Sequence, residues 1–476
     1  MKQNILLFSF FIFIILALNS SYKCFAKNIS ESDIQYFSEC LSDIKTSGLE
    51  ISEESEKQVN NNDMFLLKDA VSRAVIYYPT VKQAQENIDV ARINKKMQSD
   101  IYLPSLSGTA SYLWLDPISQ LTMGDQTVHI QSHHNANFGI SVNQLIWDFG
   151  KSRPKIEAAK LEYEVAELEK QQLIQNLSLQ TISSYLMTAY TRYSINVKMK
   201  QFEDYAILLQ QTEIKRNSGS ATNFDYLNTS SGLNAIKTEL IALKTAKEKQ
   251  YVSLSLLTDT VVTDNTILSF NNIGFDEENS LDNLISEALD NRIEMKILSK
   301  QYEIAMEQKR IDDRLFNPEL SVSASLGAKN GYEPSLGDLR FNYSAGATLS
   351  IPIYEGNRRF QQRALGKIGI NKAVTAIDIA KKEISGQVAD SYLSLVSSYA
   401  KIQQLKVQRD VATKAYEQAK VNYASGAITY LELLTSSTNA VNSELFLLQE
   451  QINYQINYYK LKIATGVIID NLIYNE

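Results

Sequence analysis

The chain has two cysteines in 476 residues, Cys24 and Cys40. Cys24 falls in a segment expected to be removed, so the mature chain has one thiol and no internal disulfide. Prolines number seven and glycines 18, and so few breakers leave room for unusually long helices. Beyond the N-terminus no run reaches 18 apolar residues, which excludes a transmembrane helix in the mature chain. Positive charge is not in excess. Charged residues make up 21% and the net charge is −7, so no basic field invites nucleic acid. A Gly-rich phosphate loop, an HExxH motif and a supported Ser/His/Asp arrangement are also missing. Catalysis finds no foothold, and no cofactor is implied.

What is present begins with an export signal. Lys2 precedes Ile5–Leu18, apolar but for Ser9, and Cys24-Phe25-Ala26 places small residues for cleavage after Ala26. Tyr22-Lys23 is a poor approach to a lipidated cysteine. Residues 27–65 form an acidic, polar leader, in which Ser30-x-x-Asp33 followed by Ile34, Phe37, Leu41 and Ile44 predicts one short amphipathic helix. An exported chain without a spanning helix is either soluble outside the cytoplasm or inserted as a β-barrel.

From residue 66 the chain repeats itself. Ala74, Lys82 and Pro104 recur as Ala288, Lys296 and Pro318 at an offset of 214. Ser184-Tyr185-Leu186 and Ser218-Gly219 recur as Ser391-Tyr392-Leu393 and Ser425-Gly426 at an offset of 207. Two halves follow, 66–270 and 280–470, with seven extra residues of the first half lying between 106 and 147. Each half orders a helical segment (66–100, broken early by Pro79, or 280–316), two strands, a long helix to the Ser-Gly turn, and a shorter return helix.

The expected strands, 105–114, 135–143, 320–327 and 341–351, alternate apolar residues with uncharged Ser, Thr, Asn and Gly. Strands of about ten residues with that face pair fit a membrane barrel, apolar to lipid and polar to a lumen. A half-buried soluble sheet has the same alternation. Tyr112, Trp114, Trp147 and Tyr354 lie near strand ends, where an aromatic belt would sit. Four strands cannot close a barrel, and an open edge in lipid leaves backbone groups unpaired. Strands in a membrane therefore require several chains sharing one barrel. Positions 155–218 hold no Gly or Pro and predict a helix of about 95 Å. In the second half Ile384, Val388, Tyr392, Leu395, Tyr399 and Ile402 set a coiled-coil seam across a helix interrupted only by Gly366, Gly369 and Gly386. His129, His133 and His134 fall between the first two strands with no carboxylate or cysteine cluster beside them, which reads as polar loop surface rather than a metal site.

The duplication resembles the TolC-like outer-membrane efflux protein family over residues 66–467. The resemblance rests on the strand starts Leu103-Pro104-Ser105-Leu106 and Asn317-Pro318-Glu319-Leu320. It rests also on the joints Leu145-Ile146-Trp147-Asp148-Phe149-Gly150 and Ile351-Pro352-Ile353-Tyr354-Glu355-Gly356, and on the tips Gly219-x5-Asp225 and Tyr423-x-x-Gly426-x5-Glu432. It implies a mainly α fold with membrane β structure. Long antiparallel helical hairpins would form a periplasmic tunnel, and four strands per chain would join a shared twelve-stranded barrel of a homotrimer. It implies an outer-membrane location in a Gram-negative cell and a passive exit duct for drugs or secreted proteins. The implied partners are a periplasmic membrane-fusion adaptor, contacting tip turns Ser218, Gly219, Ser425 and Gly426, and an inner-membrane ABC or proton-driven transporter. It implies further that the tips form the entrance, with Tyr423 the gate tyrosine, Asp225 its partner and Glu432 the matching carboxylate. Ile428 stands where an arginine is expected and Thr435 where a second aspartate is expected, so the resemblance implies a weaker latch. Asp225 and Glu432 from three chains would make an acidic mouth of six carboxylates; alternatively they are solvated helix-start residues favoured by the helix dipole. A secreted or periplasmic coiled-coil scaffold shares the signal and the long helices, but not four such strands between them.

Overall fold

The computed structural model describes residues 64–124, 126–264, 267–269, 280–332 and 335–467. The signal and the leader, apart from its last two residues, lie outside the described residues. The chain runs β1 (Met64–Leu66), α1 (Leu67–Tyr77), α2 (Pro79–Ser99), β2 (Ser105–Trp114), β3 (Gln120–Met123), β4 (Gln126–His129), β5 (His134–Trp147), α3 (Ser152–Asn217) and α4 (Asn223–Thr258). It continues through β6 (Ile267–Ser269), α5 (Leu281–Asn291), α6 (Ile293–Arg314), β7 (Glu319–Lys329), β8 (Arg340–Ser350), α7 (Arg358–Ala424) and α8 (Tyr430–Ala464).

All four expected strands form, and they make one antiparallel sheet in the order β2-β5-β7-β8. The alternation places side chains as expected. Ser107 and Ser141 share a hydroxyl–hydroxyl bond of 2.8 Å, and so do Ser325 and Ser344. Ser141 and Ser325 stand opposite one another, so a row of serines crosses the polar face. The other face presents exposed Leu106, Phe138, Ile140, Leu326, Phe341, Tyr343 and Leu349. β5 runs four residues further than the alternation predicts. Gln144-Leu145-Ile146-Trp147 is out of phase, and a bulge between Leu145 and Trp147 absorbs one residue and returns Trp147 to the apolar face opposite Leu320.

Each strand continues into a helix, so the sheet order repeats below as α2-α3-α6-α7, neighbour against neighbour. The two long helices have 66 and 67 residues, about 100 Å each at 1.5 Å per residue. Farther down, α3 packs with its return helix α4, α7 with its return helix α8, and α8 against α3. The expected seam is buried at Ile384, Val388, Leu395 and Ile402, which meet Leu447, Tyr454 and Leu461 of α8. The three glycines do not interrupt α7. Gly366 instead lets α6 come close, since a Cβ there would stand 2.9 Å from Asp312 Oδ2 and 3.1 Å from Lys309 Cα.

Three features differ from the expectation. The helical segment 280–316 is two helices, not one. They break at Arg292, whose buried guanidinium bonds Glu294 and Gln387. Gly466, at φ +84°, packs on this break, where a Cβ would fall 2.8 Å from Asn291. The inter-strand loop is a hairpin, β3–β4. Two three-residue strands, β1 and β6, pair in parallel and tie the start of the first half to its end. Among the described residues no helix is long and apolar enough to cross a membrane.

Candidate functional site

The two hairpin tips are built alike. Gly219 (φ +78°) and Gly426 (φ +77°) take the left-handed conformation that ends α3 and α7. Ser220 N–H donates to Lys215 O and Gly219 N–H to Arg216 O; Ala427 N–H and Gly426 N–H repeat this to Asn422 O and Tyr423 O. These are two Schellman stops, with Ser218 and Ser425 as the last capping residues. Three residues past each glycine stands a threonine, and three further a carboxylate. Asp225 Oδ2 accepts from Thr222 N–H (3.0 Å) and from its hydroxyl (2.7 Å), while Asp225 N–H donates to Thr222 Oγ1. Glu432 Oε2 accepts from Thr429 N–H (2.7 Å) and hydroxyl (2.9 Å), with the reciprocal bond from Glu432 N–H. Each carboxylate thus closes a capping box and settles the first turn of its return helix. The backbone bond from Thr429, then that from its hydroxyl, holds the Glu432 carboxyl below the usual range, so it is charged at neutral pH.

Tyr423 lies between the hairpins. The Lys215 ammonium sits 4.2 Å from the centre of its ring, and Tyr430 meets it edge-on at 6.2 Å. Both bonds from Thr222 go to Asp225 Oδ2, and among the described contacts the Tyr423 hydroxyl makes no hydrogen bond to Asp225 within one protomer. Arg216 covers the ring of Tyr226 at 4.2 Å. Higher up, Tyr416 on α7 donates to Asp204 Oδ2 on α3 (2.8 Å), and Tyr205 and Thr438 hydroxyls approach to 3.4 Å. Burial, and then the bond to Asp204, pushes the Tyr416 hydroxyl pKa up, so it stays a donor at any physiological pH. Ile428 is half-buried, and Thr435 turns its hydroxyl to Leu431 O. Polar and cation contacts joining the hairpins in one chain include Lys215–Tyr423, Tyr416–Asp204 and Tyr205–Thr438, and Leu434 packs into the cluster of Tyr205, Leu233, Ile236 and Leu240. Lys215, Tyr416, Asp204, Thr222 and Thr429 were not singled out from the sequence. Only the two threonines carried a readable signal, the T-x-x-acid spacing.

At the other end of the long helices lie Trp147 and Tyr354 of the expected belt, and Tyr112 and Trp114 lie a strand length beyond, at the outer end of the sheet. Trp114, Tyr112, Trp147 and Tyr354 are all exposed, and Trp147 meets exposed Phe149 edge-on. Exposed Ile353 and Phe360 extend this apolar rim. The joint beneath β5 is organised by Asp148, 3% exposed, which accepts from Gly150 N–H (3.0 Å), Ser152 N–H (2.6 Å) and Tyr102 hydroxyl (3.1 Å). Burial opposes its ionisation, but the bonds from Ser152, Gly150 and Tyr102 outweigh it and hold the carboxyl below the usual range. Of the histidines, His133 and His134 flank the outer end of the sheet; the side chain of His129 lies outside the description. Among the described residues no group of three or more His, Cys, Asp or Glu is arranged to hold a metal.

Comparisons with known proteins agree with this architecture. A family model described as outer membrane efflux protein matches residues 70–259 and 284–467, the two halves of the duplication. The chain is 21% identical to the outer membrane protein TolC of Escherichia coli over 374 residues, 74% of this chain and 75% of that one. Its fold is similar to the crystal structure of a membrane protein from Pseudomonas aeruginosa, with TM-score 0.72 and 18% identity over 84% of this chain and 90% of the other. It is also similar to the CmeC outer membrane channel of Campylobacter jejuni, with TM-score 0.70 and 16% identity over 84% and 85%.

Proposed function

The chain belongs to the outer membrane efflux protein family and is an outer-membrane protein, and from that premise we propose that it is the passive exit duct of a tripartite export system. Three copies share one twelve-stranded barrel, and their helices form the periplasmic tunnel. A membrane-fusion adaptor engages the tips around Ser218-Gly219 and Ser425-Gly426. An ABC or proton-driven transporter in the inner membrane supplies the energy for moving drugs or secreted proteins.

The observation that carries this reading is the pair of open edges. Among the described residues β2 and β8 each have a neighbour on one side only, and an unpaired strand edge in lipid costs several kcal/mol per backbone group. The helices below continue the same two edges. α2 exposes Val90, Ile93 and Met97 at helical spacing, and α7 exposes Leu365, Ile368 and Ile379. β2 and β7 run one way and β5 and β8 the other, so β8 of one copy meets β2 of the next antiparallel, and the ring closes without a change of pattern. Identical copies cover the strand edges and the apolar stripes together.

At the tips, Asp225 and Glu432 cap their own helices. Six such carboxylates around a narrow entrance favour cations and hold back anions. Lys215 against Tyr423, with Tyr416–Asp204 above, holds the second hairpin to the first in each protomer and takes over part of the restraint that an arginine at position 428 would give.

The test is a photo-crosslinking residue at position 220 or 427 in cells. Crosslinks to a periplasmic adaptor, recovered with outer membrane, are the expected result. Crosslinks only to periplasmic proteins unconnected to an inner-membrane transporter would overturn the proposal.

A further inference from the structure

The outer end of the sheet carries a pocket of about 490 Å3 lined by Trp114, Asp116, Gln131, Ser132, His133 and His134, within the usual size range of small-molecule sites. It lies on the apolar face. Trp114 and His134 stand opposite each other in the β2–β5 register, in phase with Tyr112 and Ala136. The aromatic groups contact one another. The His133 ring stacks on the indole at 6.4 Å and 22°. His133 Nδ1 lies 2.9 Å from Leu115 O, which only accepts, so Nδ1 carries the proton. The Tyr112 hydroxyl and His134 Nδ1 are bonded at 2.6 Å, and His134 N–H donates to Ser132 Oγ. The indole itself is 56% exposed. The Asp116 carboxylate stands 4.0 Å from His133 Nδ1, and Gln131 adds an amide.

An open indole bordered by a carboxylate, an amide and a hydroxyl suits one ligand chemistry: a ring with an apolar C–H face and a rim of hydroxyl or amino donors. The apolar face lies flat on the indole, and the rim donors reach Asp116 and Gln131. Because the pocket sits on the side turned to lipid, at the level where exposed Tyr112 and Trp114 mark an interface, the source of that ring is the membrane. We propose that the pocket binds the hexosamine ring of a glycolipid headgroup in the outer leaflet. The inference rests on the outer-membrane reading given above.

The chain has two tryptophans, Trp114 and Trp147, which makes the test direct. Full-length Trp147→Phe leaves Trp114 as the reporter, and Trp114→Phe leaves Trp147. Each is reconstituted into phosphatidylcholine nanodiscs containing none, lipopolysaccharide, or phosphatidylglycerol. The expected result is a saturable Trp114 emission shift with lipopolysaccharide and none with phosphatidylglycerol. Asp116→Asn should weaken it about tenfold or more, as expected for loss of a hydrogen bond to a charged group. An equal response to phosphatidylglycerol, or no response, overturns the proposal. The same saturable shift with glucosamine free in buffer overturns the glycolipid assignment. Trp147 reports separately on insertion. If its emission does not move to the blue on reconstitution, the outer-membrane reading fails; if it does while Trp114 stays silent, only the inference fails.

Discussion

Neutralising the tip carboxylates without disturbing the caps separates their two jobs. Glu432→Gln keeps an oxygen to accept the Thr429 N–H, and Asp225→Asn keeps one for the Thr222 N–H; glutamine serves in capping boxes as well as glutamate. In the proposed trimer, six charges disappear while the helix starts remain. At a spacing of about 8 Å and an effective dielectric constant of about 20, each like-charge pair costs about 2 kcal/mol. A field of that size sets ion preference at the entrance. The assay is the reversal potential across planar bilayers under a salt gradient. Near 0.1 M salt the Debye length is about 10 Å and at 1 M about 3 Å. The parent channel should therefore prefer cations strongly in dilute salt and weakly in concentrated salt. The double variant should lose that preference and most of its salt dependence. Thr222→Ala/Thr429→Ala is the converse, removing about 1 kcal/mol of capping from each return helix. It should keep the cation preference while tip amides exchange faster with deuterium. Unchanged reversal potentials in the Glu432→Gln/Asp225→Asn channel would refute the charged mouth and leave the carboxylates as caps alone.

Three further outcomes follow from particular contacts. Lys215→Ala removes the cation over Tyr423, worth about 0.5–2 kcal/mol, and should raise resting conductance; an unaltered closed state would show that the pair holds nothing. Asp148→Ala leaves Gly150 N–H, Ser152 N–H and the Tyr102 hydroxyl without their acceptor, costing on the order of 1–3 kcal/mol in a thermal unfolding assay. Because the folded carboxyl titrates below its unfolded value, its stabilisation is present above about pH 4 and is lost as pH falls through the folded pKa. The gap to Asp148→Ala should close in acid. Gly327→Ala would push a methyl onto the Phe138 carbonyl oxygen and to 2.9 Å from Gly139 Cα. It should lower the temperature at which the oligomer dissociates in detergent, and Gly346→Ala, with nothing near its Cβ, should not.

Period-two alternation made the four membrane strands legible, because uncharged small residues face one way and apolar residues the other with no interruption until the bulge after Asn143. The long helices were legible from missing breakers and from the aliphatic seam of α7. The seam of α3 was not. Its buried positions include Thr181, Thr188, Thr191, Ser194 and Thr212, whose hydroxyls bond back to the carbonyl four residues earlier, and polar residues satisfied in this way do not register as a hydrophobic period. The break at Arg292 carries no proline or glycine. The duplication held the clue, since the offset of 214 sets Arg292-Ile293 against Tyr78-Pro79. At the tips the glycines and carboxylates were visible as landmarks. The contacts of Tyr423 with Lys215 and of Tyr416 with Asp204 join residues 208 and 212 positions apart, which no local pattern encodes.

The most direct test of the central claim is native mass spectrometry of the protein extracted from isolated outer membranes in mild detergent. An assembly of three chains that resists dissociation until heated is the expected result. A single chain, or recovery in the soluble periplasmic fraction, would contradict it.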